Sequence, residues 1–353
     1  MSTRGRRCRT TRLIAAIAVS GLAIVSSACN QESDASTGES LQIVLGSPPQ
    51  ASQIPLVYGV DHYGGDLGLN LSVEQNVTIT DTHTDAVKTS SDADAEVLAT
   101  SFSAILDARK RGEDLKVFCP YVSMDDFVLA GANGVNTAGQ LFETSTRVGI
   151  DSPGGAGAIV LNALLSGIGE PRDVHEIPNP KIIESSSART EAWATGQLDA
   201  TVIHDTQYDA AHSTVNRPVL IATLYENSPG FVKVAQAAEA DWLAQNRELA
   251  AQYCATTLRA MKELKSDFAV FRAAVGAYVE EPPSDQSLRE LYDLIQKYPF
   301  WTADGGLSDE SVEFMIDIAT ESGVLTRPMN AADVVDRETL RRAVELANTP
   351  STG

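Results

Sequence analysis

The chain has 353 residues, 43% hydrophobic and 21% charged, which is ordinary for a globular protein and too apolar for a disordered one. Its 27 Lys and Arg residues are outnumbered by 47 Asp and Glu residues, so the formal charge is −20. Nucleic acids and anionic membrane surfaces bind clustered cations, and this balance argues against both as partners. At this length a single hydrophobic core tends to split into two lobes.

The first 28 residues have the pattern of an export signal. Residues 1–12 are rich in arginine and lack acids, residues 13–25 are uncharged and apolar, and three small residues precede Cys29. A cysteine in this position resembles the lipobox of bacterial lipoproteins, in which the cysteine carries the lipid. We expect removal of residues 1–28 and lipidation of Cys29; the alternative is an ordinary cleaved signal with an incidental cysteine. Residues 29–40 are polar and predict a flexible tether.

From residue 41 onward, short apolar runs alternate with helical patterns, which predicts an α/β fold. The predicted strands are 41–45, 69–75, 95–99, 116–122, 127–130, 147–150, 200–204 and 219–223. The predicted helices in this part are 54–63, 102–111, 158–165 and 184–195. From residue 237 the pattern is almost entirely helical, with helices predicted over 238–264, 268–278, 287–297, 308–322 and 337–347.

Two pairs of segments recur at one offset of 105 positions. Residues 47–54 (SPPQASQI) share Ser, Pro, Ala and Ile with residues 152–159 (SPGGAGAI), and residues 94–98 match residues 199–203 in the same way. The common offset predicts two α/β units with the same local plan, the alternative being coincidence in a chain rich in Ala and Ser.

Several segments, taken in order, resemble the solute-binding proteins of ABC importers. The resemblance is to the branch that includes aliphatic-sulfonate, nitrate and thiamine-precursor binders, and it covers most of residues 41–345. The matching segments are 54–59 (IPLVYG), 64–69 (GGDLGL), 149–155 (GIDSPGG), 196–200 (GQLDA), 298–301 (YPFW) and 305–308 (GGLS). The resemblance implies an α/β, two-lobe, type II periplasmic-binding-protein-like fold, with a helical C-terminal region that completes lobe one.

The same resemblance implies where the lobes lie. Lobe one is expected over 41–125 plus 219–348, and lobe two over 126–218. The two crossovers are expected near Ser123–Phe127 and near Pro218–Tyr225. Ligand is expected in the cleft between the lobes, at the carboxyl ends of strands where helix N-termini converge.

The loop 46–53 is the first candidate for contact with ligand. It follows a predicted strand and leads into a predicted helix, so Gln50, Ser52 and Gln53 offer neutral hydrogen-bonding groups at the cleft. The alternative is a plain turn in which Ser52 caps the helix.

The loop 151–157 (DSPGGAG) is the second candidate. Its glycines permit close approach to the backbone, and the following helix directs positive partial charge toward it, which predicts an anion-binding nest at Ser152, Gly154, Gly155 and Ala156. The alternative is a tight turn that needs glycine for a positive φ.

Polar residues at strand ends complete the candidate site. Thr100 and Ser101 follow a strand of lobe one, and His204 follows the corresponding strand of lobe two. Asp205, the next residue, cannot easily reach the imidazole of His204, so no catalytic dyad is predicted. The alternative to a ligand contact is a structural histidine whose hydrogen bonds are satisfied within the fold. Tyr208 and Tyr225 are the aromatic candidates for the cleft.

The resulting hypothesis is an exported lipoprotein, anchored to the outer face of the cytoplasmic membrane. It would capture a small polar organic solute, such as a sulfonate or thiamine precursor, by hinge closure, and deliver it to an ABC permease. A monomer without cofactor is expected. No metal site is expected, because the five histidines show no metal-ligand spacing, and no catalytic activity is expected, because no nucleophile–base pair is evident. The alternative is a membrane-anchored sensor or accessory protein of the same fold.

Two cysteines lie within the predicted fold. Cys119 and Cys254 permit a disulfide in an exported protein, and two buried thiols are the alternative.

Overall fold

The structure is a computed structural model that describes residues 38–350, so the predicted export signal and Cys29 lie outside the described residues. The strands are β1 (Ile43–Leu45), β2 (Val77–Ile79), β3 (Val97–Ser101), β4 (Leu115–Val122), β5 (Phe127–Gly131), β6 (Val148–Ile150), β7 (Pro180–Ile182), β8 (Ala200–His204), β9 (Val219–Thr223) and β10 (Val234–Glu239). No helix in the described range is long and apolar enough to cross a membrane.

The helices alternate with the strands at first and then follow one another. Those up to β10 are α1 (Ile54–Tyr63), α2 (Val73–Asn76), α3 (His83–Asp92), α4 (Phe102–Lys110), α5 (Ala156–Gly167), α6 (Ser186–Ala194), α7 (Asp205–Ala211) and α8 (Leu224–Asn227). The remainder are α9 (Ala240–Gln245), α10 (Arg247–Ser266), α11 (Phe268–Tyr278), α12 (Asp285–Lys297), α13 (Asp309–Glu321), α14 (Ala331–Val334) and α15 (Arg337–Asn348).

The strands form two sheets with the same plan. The orders are β2-β1-β3-β10-β4 and β7-β6-β8-β5-β9, with one antiparallel strand, β10 or β5, inserted beside three parallel ones. Segments 47–54 and 152–159 follow β1 and β6, and segments 94–98 and 199–203 overlap β3 and β8. The offset of 105 positions therefore reflects equivalent places in two α/β units.

Two predicted elements were wrong. The strand predicted over 69–75 is instead helix α2 followed by β2, and Leu69 pairs with Glu39 only as an isolated bridge. The helix predicted from residue 238 begins too early, because β10, an interior strand of the first sheet, extends to Glu239. Its Ala-rich run is buried between β3 and β4, so it shows neither the strand alternation nor a helical stripe.

The return crossover lies later than predicted. Strand β9 was assigned to lobe one, but it pairs with β5 in the second sheet, with Val128 opposite Thr223. The chain therefore crosses back through residues 224–233 rather than near residues 218–225. The first crossover, residues 123–126, joins β4 directly to β5 where the sequence predicts it.

The C-terminal helices pack on the first sheet. Helix α10 contacts α1, α15 and β4, and the fully buried Cys119 of β4 forms a disulfide with the fully buried Cys254 of α10. Of the two alternatives that the sequence leaves open, the structure has the disulfide.

A buried carboxylate joins three segments of the second unit. Asp199 accepts hydrogen bonds from the Arg147 backbone and guanidinium at 2.7–2.9 Å and from the Asn133 amide at 2.9 Å. Burial alone would raise the pKa of Asp199, but these bonds outweigh it and hold the pKa at about 2. The carboxylate is therefore charged in the folded protein at pH values where the unfolded chain is protonated.

Replacing Asp199 with Asn should lower the free energy of unfolding at pH 7 by about 1.5–3 kcal/mol, because bonds to a charged group are lost. The stabilisation by a carboxylate with a depressed pKa is complete above its ordinary pKa of about 4 and disappears as the pH falls toward the folded value. Urea unfolding from pH 7 down to pH 3 should therefore show the difference between wild type and variant narrowing below pH 4. A difference that stays constant over this range would contradict the assignment.

Candidate functional site

A cavity of about 260 Å³ lies beside the first crossover. It is bounded by the loop before α1, with Gln50 and Ser52, by Asp125 and Asp126 of the crossover, and by His204 at the end of β8. The segment between α11 and α12 closes the remaining side. The loop that follows β1, the end of β8 and the crossover that joins the two sheets thus meet at one cavity, which includes three of the predicted site residues.

A second cavity, of about 370 Å³, lies between the loops that precede α4 and α5. It collects the predicted residues Ser101, Gly154, Gly155 and Ala156. The loops 46–53 and 151–157, which the sequence suggests as facing walls of one site, therefore line different cavities.

Thr100 and Gln53, both predicted to contact ligand, line neither cavity. Thr100 is fully buried, and its hydroxyl donates to the His83 carbonyl oxygen at 3.1 Å. Gln53 is 2% exposed, and its amide oxygen accepts from the Ser47 hydroxyl at 3.2 Å. Both side chains therefore form hydrogen bonds within lobe one.

His83 is a functional candidate that sequence reasoning missed. Its Nδ1 accepts the Ser101 backbone N–H at 3.2 Å, and the residue lines the second cavity. Burial, assisted by the charge of Lys233, lowers the pKa of His83 to about 4, so the imidazole is neutral at physiological pH. The sequence predicts no element over α3, so nothing singles out this histidine before the fold is known.

Part of the predicted anion nest at 151–157 is filled by the chain itself. The Asp151 carboxylate accepts backbone N–H groups from Gly157 at 2.8 Å, from Ala158 at 3.2 Å and from Ser152 at 2.8 Å. The first of these donors belong to the opening turn of α5, where an external anion would otherwise bind. The N–H groups of Ser152, Gly157 and Ala158 are therefore not free donors, and contact of a ligand with Gly154, Gly155 and Ala156 stays a prediction.

Gly155 is required by the approach of this carboxylate rather than by a positive φ, since its φ is −74°. A Cβ atom there would lie 2.5 Å from Asp151 Oδ2 and 2.5 Å from Ser152 Oγ. Gly155→Ala should therefore cost about 1–3 kcal/mol of unfolding free energy, as overpacking does. The matched change Gly276→Ala, on α11 with no neighbour within 4 Å, should be neutral or stabilising. Thermal unfolding of both variants checks this, and equal stabilities would contradict the packing of Asp151.

His204 is hydrogen-bonded to Asp126 of the first crossover rather than to Asp205, its neighbour in sequence. Its Nδ1 lies 2.7 Å from Asp126 Oδ1, and its ring stacks on Phe127 with centroids 4.1 Å apart. Burial would lower the pKa of His204, but Asp126 outweighs it and raises that pKa, while His204 in turn holds the pKa of Asp126 at about 2. The Asp126 carboxylate therefore favours the charged form of His204, and the two side chains form a hydrogen-bonded pair at the cavity wall.

A second ion pair links the two crossovers. Asp125 is 2% exposed, and Lys233 Nζ, on the return crossover, lies 2.5 Å from its Oδ2. Burial raises the pKa of Asp125, and Lys233 opposes this increase. Asp125, Asp126 and His204 are close enough together to hold a metal ion, but in this arrangement they are engaged with Lys233 and with one another.

The two predicted tyrosines lie apart. Tyr208 stacks between Trp193 and His212, with centroids 5.5 and 5.6 Å away, and belongs to the small core of the second unit. Tyr225 donates to Asp205 at 2.9 Å at the start of the return crossover. Only Tyr225 is thus close to residues that border the space between the units.

The fold has well-matched structural neighbours. The aliphatic-sulfonate-binding protein of Escherichia coli is 14% identical, with 85% of this chain and 93% of that chain covered and a TM-score of 0.62. The alkanesulfonate-binding protein of Xanthomonas axonopodis is 17% identical, with 84% and 97% covered and a TM-score of 0.58. The nitrate-binding protein of Synechocystis is 10% identical, with 89% and 90% covered and a TM-score of 0.59.

These likenesses establish the fold class, which is the two-lobe, type II periplasmic-binding-protein fold expected from the sequence. No protein-family model and no curated protein sequence matches the chain.

Proposed function

We propose that the protein is an extracytoplasmic solute-binding protein that captures a small polar organic solute and delivers it to an ABC importer. The observation that carries this proposal is the cavity whose walls come from the loop after β1, from the end of β8 and from the crossover between the two sheets. Rotation of one lobe about residues 123–126 and 224–233 would close the cavity on its ligand. The solved neighbours with this fold are transport binding proteins, which supports binding without catalysis.

In this proposal each lobe is built around one of the two sheets. Lobe one contains the first sheet and the C-terminal helices, and lobe two runs from Phe127 to Thr223. The permease would recognise the closed arrangement of the two lobes of a monomer. Sulfonates and thiamine-type pyrimidines are the solute candidates from the resemblance.

Membrane anchoring through Cys29 belongs to the same proposal. The support is the order of basic, apolar and small residues before this cysteine. Cys29→Ser should release the protein from the membrane fraction of the expressing cells, and persistent membrane association would contradict the lipid anchor.

The binding proposal is tested by native mass spectrometry of the purified protein, followed by a thermal-shift panel of sulfonates, pyrimidines, amines and carboxylates. We expect one solute molecule bound per chain and a higher melting temperature with that solute. A protein that carries no solute and responds to no member of the panel would contradict the proposal. A sensing role predicts the same binding, and co-purification with a permease distinguishes transport from sensing.

A further inference from the structure

The cavity beside the first crossover opens into an acidic groove. An adjoining space of about 270 Å³ shares Asp126, Thr206 and Leu291 with it and lies between α7 of lobe two and α12. Together, the two spaces are lined by seven carboxylates, Asp125, Asp126, Asp205, Asp209, Glu281, Glu290 and Asp293. No Lys or Arg among the described residues lines either space.

Most of these carboxylates lack a compensating cation. Asp125 and Asp126 are paired as described above, but Asp209, Glu281 and Asp293 have no salt-bridge partner within residues 38–350. Carboxylates of α7 face carboxylates of α12 across the groove, so the lobes present like charges to each other. The resulting negative potential attracts cations and opposes anions.

The helix N-terminus at α5 strengthens the same conclusion. An anionic solute would be expected to use the N–H groups at the opening of this helix, yet the Asp151 carboxylate already occupies them. The acidic groove is thus separate from the second cavity, which is lined by Lys110 and Arg111 and whose first α5 donors, Gly157 and Ala158, are engaged by Asp151.

The cavity also offers a buried hydroxyl that is free to bind a ligand. Ser52 is only 6% exposed and lines the cavity, and its hydroxyl has no hydrogen-bond partner in the part of the chain that the structure describes. Val279, Pro283 and Leu291 provide an apolar wall opposite it. A hydroxyl acceptor, carboxylates and an apolar wall together suit an organic cation better than a bare metal ion.

We infer that this cavity binds a positively charged organic solute, such as an amine or a guanidinium compound, and that sulfonates and other anions are poor ligands. The inference rests on the proposed function and narrows its solute class. A bound cation would neutralise the facing carboxylates of α7 and α12. Because the repulsion between the lobes is then reduced, binding of the cation favours closure of the lobes.

The test uses pairs of solutes that share a skeleton and differ in charge. Butylamine is compared with butane-1-sulfonate, and benzylamine with phenylmethanesulfonate, together with 1,4-diaminobutane and arginine. Thermal shifts are measured at low ionic strength, where electrostatic attraction is least screened. We expect stabilisation by cations, absent for the sulfonate of each pair, and calorimetric affinities that fall as salt is added.

Matched variants locate the site. The triple variant Asp209→Asn, Glu281→Gln, Asp293→Asn should weaken binding of the best cation by roughly tenfold or more, because three charges near the solute are lost. A control with the same change in net charge at exposed acids elsewhere, Glu191→Gln with Asp241→Asn and Glu74→Gln, should change affinity less than about twofold.

Three outcomes would overturn the inference. They are binding of the sulfonates in preference to the amines, no response to any cation of the panel, and equal cation affinity in the triple variant and its control. Lobe closure on a sulfonate would leave the proposed function standing while refuting the charge of its ligand. Absence of any bound solute would refute both.

Discussion

Replacing Lys233 with Met should lower the free energy of unfolding by about 3–5 kcal/mol, because it leaves the buried Asp125 carboxylate without its partner. The Asp125 side chain is 3% exposed and Lys233 is 15% exposed, so water cannot replace the lost ammonium. Burial already raises the pKa of Asp125, and loss of the cation would raise this pKa further. Guanidinium unfolding at pH 7, followed by tryptophan fluorescence, gives the change.

Two comparisons make this result specific. Lys297 lies 3.9 Å from Glu226 with its side chain 68% exposed, so Lys297→Met should change the free energy of unfolding far less than Lys233→Met. The double variant Asp125→Asn, Lys233→Met should recover much of the loss, since the unpaired charge is gone. If Lys233→Met is no more harmful than Lys297→Met, the two crossovers are not held together by this pair.

Loss of the disulfide should cost about 2–5 kcal/mol of unfolding free energy. Cys119 and Cys254 are 135 residues apart, so the bond closes a long loop of the unfolded chain. The variant Cys119→Ala, Cys254→Ala should unfold at lower denaturant concentration than the oxidised wild type.

Reduction provides the control for this second effect. Dithiothreitol should lower the stability of the wild type toward that of the double alanine variant and leave the variant unchanged. Titration of the denatured, unreduced protein should find no free thiol at these positions. Two titratable thiols, or a wild type insensitive to reductant, would contradict the bond.

The sequence predicts the fold well because the information is local and repeated. Strand–loop–helix units at 41–63 and 147–165 carry the same signals at the same spacing, and both are present in the structure. Strand β10 escaped prediction because it is inserted between β3 and β4 from distant sequence and is buried on both sides. A run of this kind has no period that distinguishes strand from helix.

The site was predicted in part. Gln50, Ser52 and His204 follow strand ends and do meet at one cavity. The anion nest is only partly free because the acid at its start, Asp151, folds back onto α5. An acid just before a glycine-rich helix start is a signal for such capping. The acidic groove combines residues near positions 125, 205, 281 and 290, and their proximity exists only in the folded chain.

Lobe closure is tested most directly by a distance between the lobes. This distance is measured by pulsed electron paramagnetic resonance between two spin labels. One label is attached at Lys88→Cys in α3 of lobe one and the other at Glu191→Cys in α6 of lobe two. Addition of the tightest solute from the panel should shift the distribution to shorter distances, and the triple carboxylate variant should require higher solute concentrations for the same shift. A solute that binds by calorimetry without changing the distance would contradict the account of a two-lobe protein that closes on its ligand.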